Sequence, residues 1–464
     1  MKAVYRKEKI DFSKGPVWKC IIAQSVPLMI VQLVHLLYNV VDRIYIGHLG
    51  EGNSLALTGI GLTFPVITLI MAFTALFGNG GVPLFSIARG AGDQERAEKI
   101  LGNSLGLLLI SAAVLTVFGY IFARPILFAF GASEASIVYA KAYLDIYLVG
   151  TAASMIATGM NGYVNAQGFP TTGMLSVVIG AVINIILDPV FIFLLHMGVA
   201  GAALATIIGQ FISAVWVMRF LWGKRAVVKL KASNIKPEKE IAVDIAKLGA
   251  SSFVMQGTTF AVQAACNSTL QIFGGDIYVG IMTVANSVRE IFMLPMNGIT
   301  TGAQPVISFN YGAKDYNRAK AGIRFNTILG GVYTLAAWLL VFLLPSFWFG
   351  IFSDDVQMRV MGAEVLRIYL FGFVFMALQF AGQTAFQALG DAGHAIFFSL
   401  LRKAFIVVPL TLLLPRMGFG VNGVFLAEPI SNIIGGIACY TTMRLTAYRR
   451  LEIETPQKEK AASV

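Results

Sequence analysis

The chain has 464 residues, 57% of them hydrophobic and 13% charged, with a formal net charge of +11 and a mean hydropathy of +0.74. A soluble domain carries about a quarter charged residues, so that class is excluded. Long continuous apolar runs, each near the roughly 20 residues that cross a bilayer, also exclude a β-barrel, which needs short alternating segments.

Residues 1–19 carry Lys2, Arg6, Lys7, Lys9, Lys14 and Lys19 ahead of the first apolar run. Gln24, Gln32, Asn39 and Asp42 interrupt that run and no small-residue cleavage site ends it. It is therefore expected to be a retained helix and not a cleaved leader. Reading on, apolar runs and their polar breaks predict twelve helices. They lie near 20–46, 55–85, 99–122, 138–160, 172–195, 199–222, 244–272, 278–308, 320–344, 361–388, 395–415 and 420–446. The loops between them alternate in charge. Arg89, Arg96 and Lys99 follow the second helix, and Lys224, Arg225 and Lys229 begin the basic loop after the sixth. Lys314, Arg318 and Lys320 follow the eighth helix, and Arg444, Arg449 and Arg450 the last, while the intervening loops are poor in Lys and Arg. Positive charge marks the cytoplasmic side, which puts both termini there and makes the number of spans even. The net charge is thus an orientation signal and calls for no nucleic acid. Cys20, Cys266 and Cys439 lie far apart in apolar segments, a pattern of neither a disulfide framework nor a metal site.

A polar stretch divides the chain. The expected organisation is a cytoplasmic segment 1–19, a first lobe 20–222 (helices 1–6), a cytoplasmic linker 223–243, a second lobe 244–446 (helices 7–12) and a cytoplasmic tail 447–464. The halves also repeat. Arg89-Gly90-Ala91-Gly92-Asp93 through Arg96-Ala97 matches Tyr311-Gly312-Ala313-Lys314-Asp315 through Arg318-Ala319, an offset of 312 − 90 = 222. Pro83 and Pro305, Gly168 and Gly390, Gly201 and Gly423, and Ala205 and Ala427 share it. Six helices per half give a parallel repeat about an axis along the membrane normal, with a cavity between lobes. The fold class is an all-α polytopic membrane protein of two pseudo-symmetric six-helix bundles.

Within the fifth helix, Val182 to Ile192 sets Asn184 and Asp188 four residues apart on one face of an otherwise apolar segment. A carboxylate at membrane depth costs on the order of 3 kcal/mol on insertion scales, so a functional role is expected. Counted from the helix ends, Asp42 lies roughly 8 Å deep and Asp188 and Thr206 roughly 11 Å deep. The counterpart of Asp188-Pro189 is Val408-Pro409 after a two-residue shift, Asp42 maps near Ala264, and Thr206 maps onto Glu428. The acid pair therefore belongs to the first lobe alone. Asp42, Asn184, Asp188 and Thr206 form an oxygen-only set suited to a hard cation such as Na+, and two close carboxylates suit a proton equally. A hydrogen-bonded carboxylate that only fixes packing is the structural alternative.

Candidate substrate-cavity residues are Tyr38 and Asn39, one turn before Asp42, and Gln256, Met293 and Asn297 in the Met- and Phe-rich seventh and eighth helices. Adaptable methionines suit varied apolar ligands. Arg289 and Glu290 are adjacent in the eighth helix and cannot face each other. Glu428, Glu364 and Arg367 are their candidate partners. Gly78, Gly80 and Gly81 read as a flexible interruption of the second helix. There is no Walker A sequence, so ATP drive would need another subunit.

Together these residues resemble the multidrug and toxic compound extrusion (MATE) family from about Val17 to Arg444. The likeness rests on Pro27 to Gly47 with Tyr-Asn-Val-Val-Asp at 38–42, Gln167-Gly168-Phe169-Pro170, Asn184 with Asp188, and Gln304-Pro305 running into Asn310-Tyr311-Gly312-Ala313. The resemblance implies two six-helix bundles in an outward- or inward-open V and export of amphipathic, often cationic compounds in exchange for Na+ or H+. Asp42, Asn184, Asp188 and Thr206 match the first-lobe cation site of the branch with an Asp on its fifth helix. Gln256 stands where another branch has a Glu, and the tenth helix lacks the accompanying Asp around Met376 to Gln379. The expectation is a monomeric multi-pass antiporter in the cytoplasmic membrane, in contact with lipid and a small amphipathic substrate. It has no cofactor besides the coupling ion and no enzymatic residue set. The alternatives are a major-facilitator-type transporter, whose basic loop motif Arg89 to Arg96 does not fit, and a flippase of lipid-linked precursors. A large lobe-facing basic cavity would favour the flippase, and intramembrane Lys and Arg read as sparse.

Overall fold

The computed structural model describes residues 9–47, 53–352 and 355–462; at some helical positions, among them Asn39, Asp42 and Phe260, only the backbone is described. Regular structure among the described residues is entirely helical. The spans are α1 (Val17–Gly47), α2 (53–90), α3 (Gln94–Ala129), α4 (136–166, in three pieces), α5 (Pro170–Leu194) and α6 (Gly198–Trp222). The second half has α7 (239–274), α8 (276–312), α9 (Tyr316–Leu343), α10 (356–388), α11 (Ala392–Met417) and α12 (Gly420–Met443). Nine stretches of the described residues are by themselves long and apolar enough to cross a bilayer. One of them, Lys239–Gly312, is two spans, because Gly275 leaves the helical region at φ +68 and ψ −169. Adding α4 and α10, the latter with halves Val356–Tyr369 and Phe373–Ala388 that bend by 41°, gives the twelve expected helices, with the largest difference at the end of α3, Ala129 against the expected residue 122.

The chain forms two compact units, Ile30–Gly249 with the residues up to Asp11, and Ala250–Val464 with Phe12–Met29. The start of α1 belongs to the second because α8 offers it glycines. A Cβ on Gly302 would lie 2.5 Å from Ser25 Oγ, and one on Gly298 2.6 Å from Met29 Cγ. Ser25 Oγ donates to the Ile299 carbonyl at 3.3 Å. Arg318 donates to the carbonyls of Gly15 at 2.6 Å and Phe12 at 2.8 Å, which anchors the preceding segment. Each unit has its own apolar core, around Phe85, Leu101 and Tyr163 in the first and Leu366, Phe425 and Met376 in the second.

The repeat is written into the backbone. Left-handed φ values occur at Gly92 and Lys314 (+77° and +57°), Gly168 and Gly390 (+90° and +81°), His196 and Gly418 (+53° and +98°), and Gly198 and Gly420 (+56° and +53°). All four pairs keep the 222-residue offset. After the first pair, Asp93 and Asp315 cap α3 and α9 alike, each accepting from the backbone N–H three residues on, at 2.9 and 3.1 Å. In the Gln167-Gly168 motif, Gln167 Oε1 accepts from the N–H groups of Val227 and Val228 at 2.7 and 3.0 Å. The connecting residues are thereby pinned to the first unit, with Lys231 Nζ paired to Glu98 Oε2 at 2.6 Å.

The glycines of α2 are not a flexible break. A Cβ on Gly78 would lie 2.6 Å from Gly159 Cα and one on Gly80 2.4 Å from the Ile245 carbonyl oxygen. They permit close approach of α4 and α7 beside a π turn at Ala75–Asn79.

Candidate functional site

In the first unit α5 packs along α6, and the contact is unusually close at two glycines. A Cβ on Gly209 would lie 2.6 Å from the Gly180 carbonyl oxygen, and one on Gly180 2.2 Å from Ser213 Oγ. One turn further on, this approach brings the Asn184 side chain against Thr206, with Asp188 a further turn along the same face of α5. Asn184 Nδ2 donates to Asp188 Oδ1 and to Thr206 Oγ1, each at 3.3 Å. All three residues are buried, and Asp188 has no exposed surface. Pro189 has no N–H to give the helix, and the ladder beyond it widens into a π turn at Val190–Leu194.

Three of the four predicted coupling residues are thus in one cluster. The fourth, Asp42, lies on the backbone of α1 with its side chain outside the described residues, as does Asn39. Asn184 Oδ1 is buried without a hydrogen-bond partner among the described residues. A carboxylate, an amide oxygen and a hydroxyl are hard donors, so these residues fit a Na+ ion or a proton. Tyr38 packs its ring 5.6 Å from that of His35.

The other predicted cavity residues lie in the second unit. Gln256, Met293 and Asn297 line a cavity of about 410 Å³ with Arg289, Glu290, Arg402, Lys403 and Glu428. Glu428 is the partner of Arg289, whose Nη1 lies 2.8 Å from Oε1; Arg367 instead donates to the Phe342 carbonyl. Arg402 Nη1 reaches Glu428 Oε1 at 3.2 Å and Asn432 Oδ1 at 2.8 Å. Lys403 Nζ lies 3.1 and 3.4 Å from the two Glu428 oxygens. At the 222-residue offset Arg402 stands where the first unit has Gly180, and Glu428 where it has Thr206.

Arg402 and Lys403 overturn the reading that intramembrane cations are sparse. The signal was legible as two adjacent basic residues inside the eleventh apolar run, where a charge demands a partner. Burial beside Glu428 makes them part of a cavity.

Two repeated six-helix halves with polar clusters at membrane depth define a multi-pass membrane transporter. The chain belongs to the MatE family, whose profile matches residues 27–190 and 252–413, once in each half. It is 25% identical to the multidrug export protein MepA of Staphylococcus saprophyticus, over 92% of this chain and 93% of that protein. The same identity holds with MepA of Staphylococcus aureus, over 96% and 97%. Among solved structures, a MATE transporter in the straight conformation matches with a TM-score of 0.88 at 25% identity, covering 95% of this chain and 98% of that one. A MOP superfamily transporter from Pyrococcus furiosus, described as having a binding pocket of reverse polarity, matches equally well, at 0.88, 25%, 95% and 98%.

Proposed function

We propose that the chain is a cation-coupled antiporter of the branch with an Asp on its fifth helix, exporting amphipathic small molecules, cationic ones among them, across the cytoplasmic membrane. The observation that carries this reading is the Asn184 amide shared between Asp188 on α5 and Thr206 on α6, around a fully buried carboxylate. A cation or proton on Asp188 removes its charge from the apolar interior and changes what Asn184 must bond. That gives the ion different affinities for two arrangements of α5 and α6, which is the requirement for coupling. Asp42 completes the site. The MepA relatives, described as multidrug export proteins, support efflux as the direction. The transporter works as a monomer with both termini cytoplasmic, needs no cofactor beyond Na+ or H+ and performs no enzymatic step.

Ethidium uptake into everted vesicles under an imposed Na+ or H+ gradient tests this, and the gradient that drives it identifies the ion. Asp42→Asn and Asp188→Asn are each expected to slow driven uptake by about tenfold or more, the scale of one lost charged contact. Unchanged uptake in both variants contradicts the reading.

A further inference from the structure

Arg289, Arg402 and Lys403 surround the single carboxylate of Glu428 beside the second-unit cavity. Arginine does not shed its proton in a protein, so the positive charge is fixed. Glu428 Oε1 already takes a contact from each of the three cations. Arg289 Nε is buried with no acceptor among the described residues. Glu290 also lines the cavity, exposed, and interacts electrostatically with Arg289, so three cations face two carboxylates there. Cations in excess of their counter-charge in a buried site favour a further anion. The remaining wall carries the amides of Gln256 and Asn297 and the apolar side chains of Met255, Met293 and Phe380. The volume of about 410 Å³ is that of a small-ligand pocket.

We propose that this cavity recognises an amphipathic organic anion, a carboxylate, sulfonate or phosphate monoester on an apolar body. The oxyanion bonds to Arg289 and Lys403, and the apolar body lies along the methionines. Glu428 is the resident counter-charge, held while the cavity is empty and sharing the cations when it is filled. The transport reading supplies the use of this site, but binding is measured without transport, so the two can fail separately.

Dansylglycine and dansylcadaverine carry one fluorophore with opposite charges. Titrated into the full-length protein in lipid nanodiscs, dansylglycine is expected to bind about tenfold more tightly, and Lys403→Gln to weaken it about tenfold while leaving dansylcadaverine unchanged. Glu428→Gln removes the competing carboxylate. It is expected to tighten dansylglycine binding several-fold, with dansylglycine raising the variant's melting temperature, a gain that misfolding does not mimic. Dioctanoyl phosphatidate displacing the probe assigns the site to a lipid headgroup, and failure to displace it assigns the site to soluble amphiphiles; either outcome upholds an oxyanion site. Equal or tighter binding of dansylcadaverine to the wild type, or unchanged dansylglycine binding in both variants, overturns it.

Discussion

The crossing of α5 with α6 and that of α11 with α12 occupy corresponding places in the repeat, yet their chemistry is opposite. In the first, Gly180 and Gly209 allow close backbone approach, and the polar groups beyond them are Asn184, Asp188 and Thr206. In the second, Arg402 replaces the first glycine and Glu428 replaces the threonine. Ser431, at the place of Gly209, donates to the Arg402 carbonyl at 2.8 Å. The left-handed turns before α5 and α11 and between each of them and the next helix keep one register in both halves. The backbone repeat therefore determines where a polar cluster sits, while a few substitutions at the crossing decide the sign of its charge. On the two proposals above, one crossing offers oxygens to a cation and the other offers cations to an anion.

Removing the central acid of each crossing separates them most widely. Glu428→Ala strands three buried cations and is expected to cost about 3–5 kcal/mol. Asp188→Asn removes a charge from an apolar site and keeps a hydrogen-bonding group for Asn184, so it is expected to cost about 1 kcal/mol or less. Scanning fluorimetry of the purified variants measures both, and equal losses would break the comparison. Next in size is the glycine contact. Gly209→Ala puts a methyl 2.6 Å from the Gly180 carbonyl oxygen and is expected to cost about 1–3 kcal/mol through forced separation of the helices. Its counterpart Ser431→Ala loses one hydrogen bond, worth about 1 kcal/mol. The smallest effect tests the repeat itself. Lys314 sits at φ +57 where the first half has Gly92 at φ +77, so Lys314→Gly is expected to stabilise by about 1 kcal/mol and Gly92→Ala to destabilise by a similar amount.

Much of this was legible in the sequence. Apolar length and loop charge gave twelve spans and an even count, because the bilayer imposes both on any helical protein. The Gly168/Gly390 pair coincides with one of the shared left-handed turns, since a positive φ is a demand that glycine meets cheaply; Gly201 and Gly423 instead lie inside helices. Asn184 and Asp188 stood out as costly residues at helical spacing. What sequence could not supply was contact across helices. Gly78 and Gly80 looked flexible because nothing in the chain announces that the Gly159 and Ile245 backbones lie against them. Gln167 was legible only as part of a motif; the two N–H groups it accepts from lie 60 and 61 residues further along the chain. Arg402 and Lys403 were visible, but their significance depends on Glu428, 26 and 25 residues away on the next helix. A buried charge is cheap or costly according to its partner, and the partner is set by the fold.

The central claim is that the two crossings do different work, one coupling to the ion and the other recognising the substrate's charge. The most direct test compares Asp188→Asn with Lys403→Gln in one gradient-driven vesicle assay, using dansylglycine and dansylcadaverine as substrates. Asp188→Asn is expected to stop driven uptake of both probes, and Lys403→Gln to reduce that of dansylglycine alone. Identical defects in the two variants, for both probes, would contradict the account.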